Sequence, residues 1–156
     1  MKYLYLIRHA KSSWDDSSLS DHERPLNNRG LRNATFMSNL IKDKNIMPDL
    51  IISSTAERAV QTAKIFSNSL QHLNPIKFDS RIYEATTQNL LEVVSEIENH
   101  FNIVFMFGHN PGLTNFANFI SNQPIYSLPT CAIVGFELQI DNWNKISRHT
   151  ANLILN

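Results

Sequence analysis

Short runs of consecutive apolar residues alternate along the chain with longer segments of helical periodicity. The apolar runs cover residues 3–7, 50–52 and 103–107, and none of them shows the in-out alternation of a half-exposed strand. Such runs are typical of strands that are buried on both faces of a parallel sheet. The pattern therefore predicts a sheet whose two faces are both covered.

Apolar residues recur at helical spacing between these runs. Helices are predicted over residues 31–41, 59–73 and 90–101, and a fourth helix near Pro111, with Asn110 as its N-cap. A further strand is predicted over residues 132–138, with residues 143–147 as its short partner. Strands that alternate with helices predict an α/β fold, with a mostly parallel sheet and helices on both faces.

Length and charge narrow the classes of function. The 156 residues, 42% of them hydrophobic, fit a single domain over residues 1–156. Lys+Arg and Asp+Glu both number 14, so no net field attracts nucleic acid or an anionic membrane, and neither is predicted as a partner. The apolar run at the start is too short for a signal peptide, which predicts a cytoplasmic protein without a membrane span.

Metal and thiol chemistry is not predicted. The single cysteine, Cys131, cannot form an internal disulfide or a thiolate cluster, and it is predicted to be a small core residue. Four histidines are given no role in a site because none forms the closely spaced pair of a zinc ligand set: His22, His72, His100 and His149.

Candidate chemistry follows directly after the three apolar runs. Arg8 and His9 follow the first run, residues 53–58 follow the second, and residues 108–112 follow the third. Ligands of open parallel sheets bind outside the carboxyl ends of the strands. These three segments are therefore expected to converge on one site.

The residue types in these segments favour phosphoryl transfer. A buried guanidinium such as that of Arg8 needs an anionic partner, and arginine binds phosphate in a planar, bidentate way. An imidazole such as that of His9 can act as an unprotonated nucleophile near neutral pH. A capping box from Ser54 to Glu57 would start a helix with Arg58 in its first turn. Two plainer interpretations stay open, Arg58 as a surface arginine and His109 as a structural histidine.

Several motifs, in order along the chain, carry a family resemblance. Residues 5–11, with the sequence YLIRHAK, resemble the Arg-His-Gly signature of the histidine phosphatase superfamily, which includes cofactor-dependent phosphoglycerate mutase. Three further segments resemble the short SixA-like phosphohistidine phosphatase branch of this superfamily. They are residues 24–30, 53–63 and 108–111, with the sequences RPLNNRG, SSTAERAVQTA and GHNP.

The resemblance implies a fold and a set of roles. The fold would be a three-layer α/β/α sandwich of the phosphoglycerate mutase type, with a mostly parallel sheet and an antiparallel edge strand. His9 would be the nucleophile that forms a covalent phosphohistidine, without a cofactor. Arg8, Arg58 and His109 would form the phosphate pocket. Glu84 would be the general acid by its position, and its alternative is a solvated glutamate at a helix start.

Three residues near the signature have less specific expectations. Ala10 replaces the usual glycine, and we expect no loss of activity unless the backbone there needs a positive φ or must touch the phosphate. Lys11 is expected to line the mouth of the site and bind phosphate. Trp14 could cover the site or act as a packing anchor.

Arg24 has two interpretations that the sequence leaves open. It could contact the phosphate or order the loop, because Arg-Pro-Leu belongs to the pattern of the branch. It could equally pair with a neighbouring carboxylate, that of Asp21 or Glu23.

The expected function is dephosphorylation of phosphohistidine on a protein, such as a relay domain. The alternative is a small-molecule phosphomonoesterase that acts on phosphate esters. A mutase is disfavoured because the chain has little material for a lid. A non-catalytic phosphoprotein-binding module would keep Arg8 and Arg58 but would have no use for His9.

Overall fold

A six-stranded sheet forms the centre of the protein. The computed structural model describes residues 1–156, and its strands lie in the order β3-β2-β4-β1-β5-β6. Strands β1 to β4 pair in parallel, whereas β5 and β6 are antiparallel. The strands are β1 (Lys2–Arg8), β2 (Leu50–Ser53), β3 (Lys77–Phe78), β4 (Ile103–Gly108), β5 (Ile133–Leu138) and β6 (Asn152–Leu155). The predicted α/β fold, with its antiparallel edge, is confirmed.

Four helices cover the two faces of this sheet. They are α1 (Asn28–Asp43), α2 (Glu57–Ser69), α3 (Thr87–Ser95) and α4 (Gly112–Ile120). None of the four combines the length and the apolar character that crossing a bilayer would require.

The alternation of side chains along β1 divides the apolar core into two parts. Leu4 and Leu6 pack with residues of α3 and α4 on one face, whereas Tyr5 and Ile7 pack with residues of α1 and α2 on the other. Successive residues of a strand point to opposite faces, so one continuous apolar run serves both cores. The result is the three-layer α/β/α arrangement.

Two predicted helices are shorter than their apolar periodicity suggested. Helix α2 ends at Ser69, and Leu73 lies beyond it with 96% of its surface exposed. The backbone of Gln71 is left-handed, with φ 54°, and this conformation stops the helix. Helix α3 ends at Ser95, so residues 97–101 belong to the connection that leads into β4.

The predicted strand over residues 143–147 is wrong. Residues Trp143–Lys145 form a 3-10 turn instead, with the Trp143 ring fully buried and its Nε1 donating to the Phe101 carbonyl at 2.8 Å. The chain turns at His149, which has φ 58°, and then supplies β6 as the partner of β5. Burial of the indole ring outweighed the local strand pattern of this segment.

The parallel strands end together at one edge of the sheet. Arg8 pairs with Gly108 and Ser53 pairs with Phe107, so the residues that follow these strands are neighbours. Backbone hydrogen bonds continue past the strand ends, since His9 N–H donates to the Gly108 carbonyl at 3.0 Å. The sheet register thereby brings the candidate segments to one place.

The irregular loop after β1 is fixed by a close contact with α1. A Cβ atom added at Gly30 would overlap the carbonyl oxygen of Lys11, so only glycine allows this approach. Asn27 N–H donates to the same Lys11 oxygen at 3.0 Å, and the Asn27 side chain accepts from Gly30 N–H at 2.8 Å. Gly30 and Asn27 therefore hold the loop beside the strand ends.

Candidate active site

Two histidines from different strand ends face each other. The ring centroids of His9 and His109 are 5.1 Å apart, and the ring planes are tilted by 51°. His9 is 7% exposed and His109 is 8% exposed, so both rings are largely withdrawn from water. The predicted convergence of the two segments is found in the structure.

The His9 ring is held in one orientation by its own backbone neighbour. Nδ1 lies 2.7 Å from the Ala10 carbonyl oxygen, which can only accept, so Nδ1 carries the proton of the neutral ring. Nε2 is then left with a free lone pair. Burial, aided by the positive charges of Arg58, Arg8 and Arg24, lowers the pKa of His9 to about 4. The ring is therefore neutral at physiological pH.

Ala10 fits where the common signature has glycine. The residue is fully buried and its backbone is not left-handed. Its N–H donates to Thr62 Oγ1 at 3.1 Å, and that hydroxyl donates to the Arg58 carbonyl at 2.8 Å. The methyl group introduces no backbone strain, and the contact ties the strand end to helix α2.

His109 is oriented by a serine from the end of β2. Its Nε2 lies 2.8 Å from Ser54 Oγ, whereas its Nδ1 is buried and has no partner. If the Ser54 hydroxyl donates to Nε2, the neutral ring keeps its proton on Nδ1. Burial, together with the nearby His9 and Arg58, lowers the pKa of His109 to about 3.

Two arginines present unpaired N–H groups beside the histidines. Arg8 donates from Nη1 to the Leu128 carbonyl at 3.0 Å, and Arg58 donates from Nη1 to the Asp21 carbonyl at 2.7 Å. The Nε atoms of both arginines are buried and have no partner. Buried donors without a partner are costly, so this arrangement fits an anion such as a phosphoryl group.

Arg24 and Trp14, from the loop after β1, also lie beside the two histidines. Arg24 is 7% exposed and forms an ion pair with Asp21 at 3.2 Å. It also donates to Ser12 Oγ at 2.9 Å and lies 3.4 Å from the centroid of the Trp14 ring. Pairing and loop ordering are thus combined in Arg24. Trp14 is 73% exposed and is not a packing anchor.

Two cavities meet at this edge of the sheet. The basic cavity, about 250 Å³, is lined by His9 and by four cationic side chains, those of Arg8, Lys11, Arg24 and Arg58. The acidic cavity, about 360 Å³, is lined by Asp21, Tyr83 and Glu84 among others. Both cavities share a wall made of Arg58, His109 and Asn110. Glu84 thus lies near the two histidines but lines a different cavity from His9.

Asp21 and Tyr83 are site residues that the sequence analysis missed. The Asp21 carboxylate accepts from Arg58 Nη2 at 3.0 Å and from the Tyr83 hydroxyl at 2.6 Å. The hydrogen bond from Tyr83, followed by those from Arg58 and Arg24, lowers the pKa of Asp21 to about 2 against the opposing effect of burial. The spacing of Asp21 three residues before Arg24 was the only local signal.

His22 is also closer to the site than expected. Its ring meets the edge of Tyr83 at a centroid distance of 4.8 Å, and Tyr83 in turn packs on His109 at 5.5 Å. Its Nε2 lies 2.8 Å from Thr55 Oγ1. His22 therefore supports Tyr83 rather than standing free in the loop.

Both predicted side-chain caps are wrong. The N-cap of α2 is Ala56, and Ser54 Oγ instead accepts from Ala56 N–H while it contacts His109. The N-cap of α4 is Pro111, and the Asn110 side chain donates to the Leu128 carbonyl at 2.6 Å. Each polar side chain serves the site or the loop before β5, which a local helix signal cannot reveal.

The structure groups no three His, Cys, Asp or Glu side chains in a way that could hold a metal ion. The donors that converge are imidazole and guanidinium nitrogens, and guanidinium groups are not metal ligands. Their chemistry suits an oxyanion.

Comparison with known proteins agrees with this description. A sequence model of the histidine phosphatase superfamily (branch 1) matches residues 4–103. An uncharacterized chloroplastic protein of Arabidopsis thaliana is 30% identical over 151 residues, which cover 91% of this chain and 69% of the relative. An uncharacterized protein of Mycobacterium tuberculosis is 31% identical over 108 residues, or 67% of this chain and 63% of that protein.

Solved structures share the whole architecture. A protein assigned as the phosphohistidine phosphatase SixA of Agrobacterium tumefaciens superimposes with a TM-score of 0.81 and 26% identity, covering 88% of this chain and 92% of that one. A protein histidine phosphatase SixA complexed with tungstate has a TM-score of 0.80 at 18% identity, covering 99% and 94% of the two chains. The second likeness bears on the fold alone.

The fold thus defines an α/β protein whose strand ends bring two imidazoles and several guanidinium groups together. The chain belongs to the histidine phosphatase superfamily, and its structure resembles the SixA proteins within it.

Proposed function

We propose that this protein is a metal-independent phosphatase of the cytoplasm that forms a covalent phosphohistidine on His9 and removes phosphoryl groups from phosphohistidine on proteins. The main support is the state of His9, which is neutral, held through Nδ1 and free at Nε2, beside the unpaired buried Nε–H groups of Arg8 and Arg58. A ring in that state can attack phosphorus without first losing a proton.

The first step transfers the phosphoryl group to the enzyme. The Nε2 lone pair of His9 forms the N–P bond while the bond from phosphorus to the leaving group breaks in line with it. Arg8, Arg58 and His109 donate hydrogen bonds to the equatorial oxygens, and Arg24 and Lys11 add positive charge around them. Positioning and charge stabilisation supply most of the acceleration in such a reaction.

The second step releases phosphate. A water molecule attacks phosphorus, the N–P bond breaks, and the electron pair returns to Nε2 of His9. With an ester, the Glu84 carboxylate first takes up a proton from solvent and then gives it to the departing oxygen. In the second step the carboxylate takes a proton from the water. The exposed Glu84 carboxylate lines the cavity on the far side of the wall formed by Arg58 and His109.

The nature of the leaving group favours a phosphoramidate substrate. An imidazole departs far more readily than an alkoxide and needs less help from an acid. The likeness to SixA proteins points to the same substrate class. A panel that compares a phosphohistidine-bearing relay domain with sugar phosphates separates this proposal from a small-molecule phosphomonoesterase, which would turn over both at similar rates.

Trapping the intermediate tests the role of His9. Wild-type protein incubated with labelled substrate and quenched should carry an acid-labile, base-stable label. His9→Ala should lose the label and the turnover while its circular dichroism spectrum is unchanged. Labelling that persists in His9→Ala would assign the nucleophile elsewhere, and wild-type protein without label or turnover would favour a phosphate-binding module.

The role of Glu84 predicts a dependence on the leaving group. Glu84→Gln should slow hydrolysis of phosphomonoesters by about 100-fold or more, because general acids contribute on that scale. Phosphoramidates should be affected much less. Steady-state kcat with p-nitrophenyl phosphate, an alkyl phosphate and phosphoimidazole measures the difference, and equal losses with alkyl and amide substrates would contradict the assignment.

A further inference from the structure

The charges around the site are divided between the two cavities. Four cationic side chains line the basic cavity, and no carboxylate does. Two carboxylates, those of Asp21 and Glu84, line the acidic cavity, where the only cationic side chain is the shared Arg58. A substrate that spans both cavities therefore meets opposite fields at its two ends.

The two carboxylates differ in how they are held. Asp21 is fixed by Arg24, Arg58 and Tyr83, and the pKa of Tyr83 is raised to about 12 by its hydrogen bond to this carboxylate. Glu84 lies on a left-handed backbone with φ 52° and has no hydrogen-bond or ion-pair partner in the protein. The Asp21 carboxylate is thus fixed in place by protein partners, whereas the Glu84 carboxylate is free to pair with a ligand.

The loop that carries Glu84 is anchored against α4. A Cβ atom at Gly112 would lie 2.8 Å from the Ala85 carbonyl oxygen, so glycine permits this close packing. The N–H of Leu113, in the first turn of α4, is already bonded to the His109 carbonyl at 2.8 Å. This N–H is therefore not free for a ligand, and two carboxylates against one guanidinium leave the lining of the cavity net negative.

Unpaired buried groups on the shared wall show where a phosphoryl group would sit. Arg58 Nε and His109 Nδ1 have no partner, and both residues are more than nine-tenths buried. His9 lines only the basic cavity, whereas Tyr83 and Glu84 line only the acidic one. In-line displacement places the leaving atom opposite the attacking nitrogen, so the leaving group extends into the acidic cavity.

From this juxtaposition we propose that the acidic cavity is a leaving-group subsite. It selects substrates whose leaving-group portion is cationic or neutral while bound, such as a phosphoimidazole ring protonated on its second nitrogen or a chain that ends in an ammonium group, and it rejects those that bear a carboxylate. The inference rests on the proposed function, since it assumes that His9 attacks from the basic cavity. The subsite would select substrates by their leaving group, whereas the contacts in the basic cavity bind the phosphoryl group that all substrates share.

The same subsite favours the reactive form of phosphohistidine. A phosphoimidazole ring that is protonated on its second nitrogen is cationic, and Asp21 and Glu84 stabilise that form. When the His9 N–P bond forms, the P–N bond of the substrate breaks and its electron pair stays on the departing nitrogen. The ring leaves as neutral imidazole, so no proton from another acid is needed.

Three phosphate esters with two-carbon chains test the subsite: phosphoethanolamine, ethyl phosphate and phosphoglycolate. Their affinities for the His9→Ala protein can be measured by calorimetry without turnover. We expect phosphoethanolamine to bind about tenfold more tightly than phosphoglycolate at low salt. The ammonium group is attracted weakly by Asp21 and Glu84, whereas the carboxylate of phosphoglycolate is repelled by both. Ethyl phosphate should lie between them, and added salt should narrow the range.

A second substitution assigns the preference to Glu84. In the His9→Ala background, Glu84→Gln should reduce the affinity ratio at least about threefold, a loss expected when one of the two carboxylates is neutralised. Glu98→Gln, which removes an exposed carboxylate outside both cavities, is the control and should leave the ratio unchanged.

The outcomes separate this inference from the proposed function. Equal affinities for phosphoethanolamine and phosphoglycolate, or a ratio that Glu84→Gln leaves intact, would overturn the subsite. Wild-type protein that forms no phosphoenzyme but keeps the affinity ratio would overturn the proposed nucleophile while the charge selection stands. The ratio of kcat/KM for the three esters in wild-type protein is the second readout, and it should follow the same order.

Discussion

The parallel and antiparallel parts of the sheet contribute to the site in different ways. Strands β1, β2 and β4 run toward the candidate site. They are followed by polar side chains that line or support it, those of His9, Ser54 and His109. Strand β5 runs away from the site, and the segment before it offers mainly backbone groups. The Leu128 carbonyl accepts from Arg8 and Asn110, and Cys131 N–H donates to the His9 carbonyl at 3.0 Å.

This difference follows from chain direction. Residues after a parallel strand leave the sheet at the same edge, where loops are free to carry polar side chains. The chain before β5 must instead join that edge to an antiparallel strand, and Cys131 does so with a left-handed backbone at φ 62° and a buried thiol. One part of the sheet supplies the side chains of the candidate site, and the other holds them in place through backbone hydrogen bonds.

After the loss of turnover expected for His9→Ala, the largest effect should come from the arginines that follow the parallel strands. Arg8→Ala or Arg58→Ala should cost roughly 2–4 kcal/mol of transition-state stabilisation, measured from kcat/KM, if these side chains act like other preorganised donors. Arg32→Ala, on the exposed side of α1, is the matched control and should retain activity. An arginine variant with an unchanged rate would remove that residue from the site.

A pair of glycines compares the two parts directly. Gly30→Ala would force the loop after β1 away from Lys11, whereas Gly135→Ala would press on the Tyr5 ring, at 2.6 Å, between β1 and β5. Each should destabilise the fold by about 1–3 kcal/mol, the usual cost of overpacking, as measured by denaturant unfolding. Only Gly30→Ala should also lower kcat/KM. Equal losses of activity in both variants would mean that the antiparallel part shapes the site as directly.

Acid pH should also weaken the fold. Both site histidines have a folded-state pKa below the ordinary value of 6.5, about 4 for His9 and about 3 for His109. Between those values and 6.5 the unfolded chain binds protons that the folded chain does not, so the free energy of unfolding should fall as pH drops through this window.

Single substitutions test that dependence. His9→Asn or His109→Asn should flatten the slope of unfolding free energy between pH 6.5 and 4, measured by urea titration at several pH values. A slope that matches wild type in both variants would show that other groups cause the acid lability, and the neutral state of the two rings would lose its support.

Much of the fold was predictable because the spacing of apolar residues along the chain indicates which segments are buried and whether they are strands or helices. The three continuous apolar runs became β1, β2 and β4, helical periodicity located α1 to α3, and Pro111 marked the start of α4. Predictions failed where a distant contact outweighed a local preference. Trp143 entered the core and turned a predicted strand into a 3-10 turn, and Ser54 and Asn110 left their expected capping positions for His109 and Leu128.

The sequence by itself determined which chemical groups follow the buried strands, because residue type and strand periodicity are local properties. Only the tertiary structure decided that Asp21 meets Arg58 and Tyr83, 37 and 62 positions further along the chain. It alone also separated a basic from an acidic cavity, since that division depends on which loops the sheet order brings together. Long-range pairing arises from packing of whole elements, and no short pattern encodes it.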